Sequence, residues 1–526
     1  MKKNNPQNTA VSECSLSEVE GRSRTVEIMD TTLRDGEQTS GVSFSAQEKL
    51  SMAQLLLGEL RVDRIEVASA RVSDGEFEGV RKITDWANEN NLINRIEVLG
   101  FVDGGESVAW LKNAGCRVLN LLTKGSLNHL TKQLKKTPEQ HFADIRREVE
   151  LADKAGITVN IYLEDWSNGM LHSPDYVFQF VENLKNTKIK RFMLPDTLGI
   201  LTPDQTFAFC KQMVDTFPAL FFDFHAHNDY DLAVANSVVA VKAGIKAVHT
   251  TINGLGERAG NAPLASVMAV FHDHFHLKTN LCEDKIYKIS KLVETYSGVR
   301  ISPNKPVIGD NVFTQVAGIH ADGDHKSNLY YNDLMPERFG RTREYALGKT
   351  SGKANIVKNL EAMGIKLDDE SMKILTQRVI ELGDKKQVVT QDELPYIIAD
   401  ILKSDQKEQK IRLINYSFSL AQGLRPMATA KIEINGKLYE NSASGDGQYN
   451  AFTKVLWKIY TKLEKEKPEL LNYEVTIPPG GRTDALVHTT ITWQFRERIF
   501  KTHGLDPDQT VAAIKATIKM LNIIEE

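Results

Sequence analysis

The chain has 526 residues, a formal net charge of −4 and four cysteines. This length exceeds that of one ordinary domain, so we expect two or three domains. The small negative charge excludes a strongly basic surface for nucleic acid or anionic membranes. The cysteines form no CxxC pair that would indicate a disulfide framework or structural zinc. No segment is long and apolar enough to span a bilayer, so the composition favours a cytoplasmic protein that acts on small molecules.

Residues 1–23 are polar and lack the apolar core of a signal peptide, so we expect a disordered tail. From residue 24 to 285, short β-branched or apolar runs alternate with longer amphipathic stretches. Eight runs have the character of strands: TVEIMD (25–30), DRIEVAS (63–69), RIEVLGF (95–101), RVLNLLT (117–123), TVNIYLED (158–165), RFMLPD (191–196), FFDFHAH (221–227) and AVHTTIN (247–253). Eight βα units in roughly 260 residues predict an α/β fold, a (β/α)8 TIM barrel.

The ends of these runs predict where an active site lies. In a TIM barrel the carboxyl ends of the strands form the active-site face. Most of the side chains found at these ends are polar, and we treat the set as candidates: Asp30, Arg34, Asp35, Glu66, Leu99, Leu122, Thr123, Tyr162, Glu164, Thr197, His225, His227 and Asn253.

The seventh run places His225 and His227 two positions apart. Side chains at i and i+2 of a strand point to the same face, so both imidazoles can bind one object. Together with nearby carboxylates they suit a divalent cation such as Mg²⁺, Mn²⁺ or Zn²⁺. The alternative is that the histidines only satisfy hydrogen bonds at a buried strand end.

Three other segments imitate known motifs without matching them. GLGERAGN (254–261) has the spacing GxGxxxG and follows the last barrel strand, so it does not fit a dinucleotide-binding loop. Instead its glycines predict a tight turn near a ligand. LGKTSGKAN (347–355) lacks the earlier glycine of a phosphate-binding loop. HDHFH (272–276) falls at a predicted helix end, where its histidines do not share one face, so we expect a solvated helix terminus.

The remaining chain predicts two further regions. Residues 286–402 are expected to form mostly helical linker subdomains, interrupted by QVAGIHADGDHKSNLYYND, which contains His320 and Tyr330. Residues 403–526 contain an internal repeat in which three strands precede one helix, twice. Two such βββα repeats predict a compact α+β domain with no catalytic cluster of its own, suited to dimerisation or ligand sensing.

Four long motifs carry a resemblance to a known family: MDTTLRDGEQTSGVSFS, FHAHND, NGLGERAGN and VAGIHADG. They resemble the acetyl-CoA-dependent synthases of the DRE-TIM metallolyase superfamily, which includes the 2-isopropylmalate, homocitrate and citramalate synthases. LGFVDG, VLNLLTKGS, IYLEDWSNG and PPGGRTDALV are most similar to citramalate synthases. The resemblance implies an acyltransferase that condenses acetyl-CoA with a 2-oxo acid, a homodimer, and a C-terminal domain that senses an amino-acid feedback inhibitor. The family's tyrosine-aspartate pair after GDG is Tyr449-Asn450 here, which leaves the effector open.

The resemblance also assigns roles to residues of matching motifs. It implies a divalent metal held by Asp35, His225, His227 and Asn261, and a 2-oxo acid carboxylate bound by Thr197. Arg34 would neutralise the developing oxyanion with Glu66 as its partner, and Glu164 would take a proton from the acetyl methyl. His320 and Tyr330 would reach the site of the neighbouring subunit.

Leu99, Leu122 and Tyr162 match the positions that close the 2-oxo acid pocket in citramalate synthases. Bulky side chains there leave room for little more than a methyl group, so pyruvate is the expected acceptor and isoleucine biosynthesis the expected pathway. A 2-isopropylmalate synthase that uses 2-oxoisovalerate remains the alternative. Two further alternatives are a 3-hydroxyacyl-CoA lyase or aldolase on the same barrel, and a ligand sensor without catalysis.

Overall fold

The computed structural model describes residues 25–277, 279–315, 332–348, 352–362, 367–384, 410–476, 487–496, 498–506 and 508–525, with the single positions Ile365 and Leu394. The chain divides into two compact units. The first comprises Met1–Phe313 and Asn332–Thr342, and the second comprises Thr314–Tyr331 and Arg343–Glu526.

The first unit is built on a closed barrel of eight parallel strands in the order of the sequence. Each of the eight predicted runs contains or overlaps one strand, so the predicted TIM barrel is confirmed. The strands are β1 (Glu27–Asp30), β2 (Arg64–Ser69), β3 (Ile96–Phe101), β4 (Val118–Lys124), β5 (Thr158–Glu164), β6 (Ile189–Asp196), β7 (Phe222–Ala226) and β8 (Ala247–Thr250). Closure is made by pairing of β1 with β8.

Helices follow the strands, and several begin at a residue whose side chain caps the helix. Ser45 caps the first helix in a capping box with Glu48, and Thr202 does the same with Gln205. The barrel helices are α1 (Ala46–Gln54), α2 (Asp74–Glu89), α3 (Glu106–Asn113), α4 (Leu127–His129), α5 (Pro138–Lys154), α6 (Trp166–His172), α7 (Pro174–Leu184), α8 (Pro203–Thr216), α9 (Ala233–Ala243), α10 (Leu264–Phe275) and α11 (Ile286–Ser297). No helix in the described ranges is long and apolar enough to cross a membrane.

The main core fills the space between the barrel strands and the surrounding helices. Ile286, Ile289 and Val293 of α11 are part of this core. This helix therefore packs with the barrel, whereas the boundary expected from the sequence lies before it, at residue 285. Its amphipathic pattern does not distinguish a linker helix from one that covers a barrel.

The second unit begins with a small parallel pair, β9 (Thr314–Gln315) and β10 (Glu344–Tyr345). Two helices follow, α12 (Lys353–Ala362) and α13 (Asp369–Asp384), which share a small apolar core. The described residues between 298 and 348 form turns, one 3-10 turn and these short strands.

The C-terminal part confirms the predicted βββα repeat. The first half contains β11 (Ile411–Ser419), β12 (Met427–Ile434), β13 (Lys437–Ser444) and α14 (Gln448–Lys462), and the second contains β14 (Glu469–Thr476), β15 (Val487–Phe495), β16 (Arg498–Asp506) and α15 (Gln509–Ile524). Both sheets are antiparallel. The halves share one core, and the side chain of Asn522 bonds the backbone of Ile411 through both its oxygen and its nitrogen.

Candidate active site

Three potential metal ligands meet at the carboxyl end of the barrel. Asp35 lies in the turn after β1, His225 belongs to β7, and His227 follows that strand directly. The Oδ2 atom of Asp35 is 3.3 Å from Nε2 of His225 and 3.9 Å from Nε2 of His227. One ligand atom from each residue lies within 4.8 Å of the others, and all three residues are buried.

The electrostatics of these three residues suit a cation. Burial lowers the pKa of His227 to about 4 and also lowers the pKa of His225. Burial opposes ionisation of Asp35, but Arg34 and His225 hold the pKa of this carboxyl well below its usual range. A carboxylate and two neutral imidazoles are the forms that bind a divalent metal.

Unsatisfied atoms indicate that this cluster can accept a ligand. The buried atoms Oδ1 of Asp35, Nδ1 of His225 and Nδ1 of His227 have no hydrogen-bond partner within the described part of the chain. Buried polar atoms normally have partners, so the residues present fit the divalent cation that the sequence predicts.

Asn261 lies beside this cluster because the glycine loop turns back on itself. Asn261 and His227 form an isolated antiparallel bridge, and the side-chain amide of Asn261 donates to the carbonyl of Leu255 at 3.0 Å. A Cβ atom on Gly256 would lie 2.2 Å from Nδ2 of Asn261, and one on Gly260 would lie 1.9 Å from a backbone oxygen. Both glycines have positive φ, so the loop requires glycine at both positions.

Arg34 is fixed between two carboxylates. Its Nε donates to Glu66 at 2.6 Å, and its Nη1 lies 3.2 Å from Oδ2 of Asp35. Glu66 is fully buried and also accepts hydrogen bonds from Thr31 and Asn120. Burial opposes the charge of Arg34, but Glu66 and Asp35 raise its pKa above its ordinary value. The guanidinium therefore stays charged and fixed in direction beside the cluster of Asp35, His225 and His227.

The three predicted pocket residues lie together inside the barrel. Leu99 and Tyr162 are buried in a small cluster with Met29 and Met193, and Leu122 packs against it. The charged end of Arg34 lies 5.9 Å from the centre of the Tyr162 ring. An apolar surface therefore adjoins the guanidinium and the potential metal ligands.

Glu164 and Thr197 lie at the ends of neighbouring strands. Glu164 ends β5 and forms an ion pair with Lys124, the last residue of β4. Thr197 follows β6, and its hydroxyl oxygen accepts the backbone N–H of Asp165 at 2.9 Å. Because a hydroxyl both donates and accepts, Thr197 keeps a hydrogen to donate to an anion.

Other candidates lie elsewhere. His320 and Tyr330 are outside the described residues. Asn253 donates to the carbonyl of Ser290 at 2.9 Å and so contacts α11. In HDHFH, His272 and His274 are exposed at the end of α10, which confirms the predicted solvated helix terminus.

The structure adds residues that the sequence analysis did not select. Lys124 directly follows Thr123 in the fourth run, and a charged residue at a strand end is a signal that could have identified it. Arg258 joins three loops, because it donates to both carboxylate oxygens of Asp229 and to the carbonyl of Thr197. His249 lies inside β8, and its contacts with Tyr162 and Asp223 distinguish it from an ordinary core residue.

Three protein-family models match successive parts of the chain. Residues 25–293 match the HMGL-like family, and residues 307–387 match the homocitrate synthase post-HMGL domain-like family. Residues 388–525 match the LeuA allosteric (dimerisation) domain.

Relatives of similar length span nearly the whole chain. A putative (R)-citramalate synthase from Methanopyrus kandleri is 33% identical, over 94% of this chain and 96% of the relative. The (R)-citramalate synthase of Methanocaldococcus jannaschii is 31% identical, over 95% of this chain and 99% of the relative. A probable 2-isopropylmalate synthase from Methanopyrus kandleri is also 33% identical, over 94% of this chain and 98% of the relative.

Proposed function

Because the chain belongs to the HMGL-like family, in the group that contains the citramalate and 2-isopropylmalate synthases, we propose that it condenses acetyl-CoA with pyruvate to give citramalate and CoA. The observation that carries this proposal is the position of the Leu99, Leu122 and Tyr162 cluster beside Arg34, next to the buried Asp35, His225 and His227.

The proposal assigns the binding of a divalent cation such as Mn²⁺, Mg²⁺ or Zn²⁺ to Asp35, His225, His227 and Asn261. When bound, the cation supplies Lewis acidity at the ketone oxygen of the 2-oxo acid. Thr197 donates its hydroxyl hydrogen to the carboxylate of the same substrate. This arrangement is supported by the convergence of Asp35, His225 and His227. It is also supported by the Thr197 hydroxyl, whose oxygen accepts from the backbone of Asp165 and whose hydrogen is left to donate.

The remaining residues carry the proton and the charge. Glu164 takes a proton from the acetyl methyl of acetyl-CoA. The carbon that loses this proton forms a bond to the keto carbon of pyruvate, and the keto oxygen gains negative charge. Arg34 stabilises this charge, because Glu66 and Asp35 keep the guanidinium ionised and fixed in direction. The keto oxygen then takes up a proton, which balances the one removed by Glu164 and gives the hydroxyl of citramalyl-CoA. Water adds to the thioester carbonyl, the C–S bond breaks, and CoA leaves as the thiol while citramalate keeps the new carboxylate.

The acceptor distinguishes this function from the alternative. A citramalate synthase and a 2-isopropylmalate synthase are each 33% identical to the chain. Sequence identity therefore does not distinguish the two acceptors, and the choice rests on the pocket. Leu99 and Tyr162 are almost completely buried against Met29 and Met193, which favours a methyl over an isopropyl group. Discrimination of this kind amounts to about 1 to 3 kcal/mol per methylene, so some activity with 2-oxobutyrate is expected.

The proposal extends to assembly and regulation. We propose a homodimer in which His320 and Tyr330 serve the neighbouring subunit, and an amino-acid feedback inhibitor of isoleucine biosynthesis. The match of residues 388–525 to an allosteric dimerisation domain supports this. In this domain Tyr449 stacks on Tyr473 and bonds the hydroxyl of Thr517, while Asn450 is exposed.

The test is release of CoA from acetyl-CoA in the presence of Mn²⁺ or Mg²⁺, with pyruvate, 2-oxobutyrate, 2-oxoisovalerate and 2-oxoglutarate offered in parallel. We expect kcat/KM to be at least about tenfold higher for pyruvate than for 2-oxoisovalerate. A preference for 2-oxoisovalerate would show a 2-isopropylmalate synthase instead. Absence of CoA release with every acceptor would favour a lyase or a sensor.

A further inference from the structure

A hydrogen-bonded chain extends from the acceptor pocket into the barrel interior. The hydroxyl of Tyr162 lies 3.1 Å from Nδ1 of His249, and Nε2 of His249 lies 3.2 Å from Oδ2 of Asp223. The rings of Tyr162 and His249 also meet edge to face, with centroids 5.6 Å apart. His249 and Asp223 are fully buried, and Tyr162 is nearly so.

The partners of His249 determine which atoms carry hydrogen. Asp223 pairs with the guanidinium of Arg64 through a 2.6 Å hydrogen bond, so its carboxylate can only accept hydrogen bonds. Asp223 therefore accepts the Nε2 hydrogen of His249. The neutral ring then carries its single hydrogen on Nε2, so Nδ1 is an acceptor and takes the hydroxyl hydrogen of Tyr162, 3.1 Å away.

Buried charges fix the far end of this chain. Arg64 donates to Asp223 at 2.6 Å and to Glu97 at 2.7 Å, and Arg191 lies 3.5 Å from Asp223. These side chains belong to four different strands of the closed barrel. His249 therefore has little freedom to rotate, and neither has the tyrosine that bonds to it.

We propose that His249, supported by Asp223, is a positioning residue that fixes the ring of Tyr162 and thereby sets the size of acceptor that the pocket accepts. The inference rests on the proposed function, since it concerns the pocket for the 2-oxo acid. His249 acts through Tyr162 and does not touch the substrate. The hydroxyl hydrogen of Tyr162 points to His249, so the tyrosine presents ring carbon to the acceptor and a methyl group is favoured there.

Without the hydrogen bond from the Tyr162 hydroxyl to Nδ1 of His249, the tyrosine ring loses the contact that fixes its orientation. The buried hydroxyl is also left without an acceptor. We expect H249F, which keeps an aromatic ring but removes both hydrogen bonds, to lower the ratio of kcat/KM for pyruvate to that for 2-oxobutyrate by about tenfold. H249N offers an oxygen near the position of Nδ1 and is expected to retain more of this ratio than H249F.

The experiment measures this ratio in the full-length wild type, H249F, H249N, Y162F and the double variant Y162F/H249F. Y162F should lower the ratio as H249F does, and the double variant should show no further loss, because both changes remove one bond. Because the His249 ring also lies 5.5 Å from that of His225, the Kd for Mn²⁺ is measured in each variant. If H249F does not fold, H249L, which also removes both hydrogen bonds, provides the same comparison in the wild-type and Y162F backgrounds, and H249N remains the variant that keeps an acceptor for Tyr162.

Two results would overturn the inference. One is that H249F lowers kcat/KM equally for every acceptor. The other is that adding H249F to Y162F lowers the pyruvate to 2-oxobutyrate ratio again by as much as H249F does alone. A weaker affinity for Mn²⁺ that accounts for the whole loss would also overturn it, because His249 would then act through His225. A wild-type preference for 2-oxoisovalerate would instead overturn the proposed acceptor. The coupling of His249 to Tyr162 would then be measured on the ratio of 2-oxoisovalerate to 2-oxobutyrate.

Discussion

Lys124 and Glu164 are register partners at the ends of β4 and β5, and their charged groups form an ion pair at the barrel mouth. The Lys124 side chain is only 9% exposed, and that of Glu164 is 25% exposed. The backbone of Lys124 is held from outside by the hydroxyl of Tyr176 at 2.8 Å. This pair restrains the carboxylate proposed to take a proton from acetyl-CoA, and catalysis by proton transfer depends on such placement.

We predict that K124M lowers kcat by about 100-fold, because the carboxylate of Glu164 loses the cation that holds it in position. The KM for pyruvate should change little, since Lys124 is not among the residues proposed to bind the acceptor. Steady-state kinetics measure both values. With trideuterated acetyl-CoA, the isotope effect on kcat should be larger in K124M than in the wild type.

Two variants serve as controls for this prediction. K124R keeps the charge and should recover part of kcat. K136M removes a surface ion pair with Asp144 and should leave the kinetics unchanged. An increase in the KM for pyruvate at constant kcat in K124M would contradict the proposed placement of Glu164.

For the proposed metal ligands we predict that H227A weakens Mn²⁺ binding by more than the 10- to 100-fold that is typical of losing an outer-shell partner. The physical reason is the loss of one of three buried groups that converge within 4.8 Å. Isothermal titration of the metal-free protein with Mn²⁺ measures the affinity. H274A removes an exposed histidine at the end of α10 and should bind Mn²⁺ as the wild type does.

The buried carboxyl of Asp30 is expected to make the stability of the folded protein depend on pH. Burial raises the pKa of this carboxyl to about 7, from 3.8. The contribution of this carboxyl to the free energy of unfolding is fully present below about pH 4, where Asp30 is protonated in both the folded and the unfolded chain. It is lost as the pH rises to about 7, because the unfolded chain then gains stability by ionising while the folded chain does not. At about 1.4 kcal/mol per pKa unit, this difference corresponds to on the order of 4 kcal/mol.

We therefore predict that D30N, which cannot ionise, raises Tm relative to the wild type more at about pH 8 than at about pH 4.5. An asparagine oxygen can still accept the backbone N–H of Thr32, which Asp30 binds at 2.9 Å. Scanning calorimetry at both pH values measures the change. A difference in Tm that is the same at both values would mean that Asp30 ionises normally in the folded protein.

The contacts of Arg258 with neighbouring loops are expected to affect binding of the acceptor. It donates to both oxygens of Asp229 at 2.8 and 2.9 Å and to the carbonyl of Thr197 at 2.8 Å. Lysine cannot form this pattern with one ammonium group. We predict that R258K raises the KM for pyruvate by about tenfold, because Thr197, the proposed carboxylate-binding residue, loses the hydrogen bond from Arg258 to its backbone carbonyl.

A matched control for R258K is R412K, which alters an arginine-carboxylate pair with Glu433 in the C-terminal domain. Its kinetics should equal those of the wild type. If R258K lowers kcat and leaves the KM for pyruvate unchanged, the role assigned to the Arg258 contacts is wrong.

The alternation of strands and helices was readable from the sequence because each barrel strand is a short apolar run between amphipathic helices. His225 and His227 could be selected because side chains two apart in a strand share a face. The tight turn of the glycine loop also followed from local conformation, since Gly256 and Gly260 adopt positive φ. In each case the information lies within a few consecutive residues.

The tertiary structure alone decided which residues act together across the barrel. Lys124 meets Glu164 across 40 positions of sequence, and His249 meets Tyr162 across 87. Such pairs depend on strand register and on which side of each strand faces the barrel interior. A shift of one residue would change the paired residues and turn each side chain to the opposite face of its strand. The sequence by itself therefore determined the elements and the types of candidate ligand, whereas closure of the barrel determined the partners of Glu164, the proposed base, and of Tyr162, the proposed pocket tyrosine.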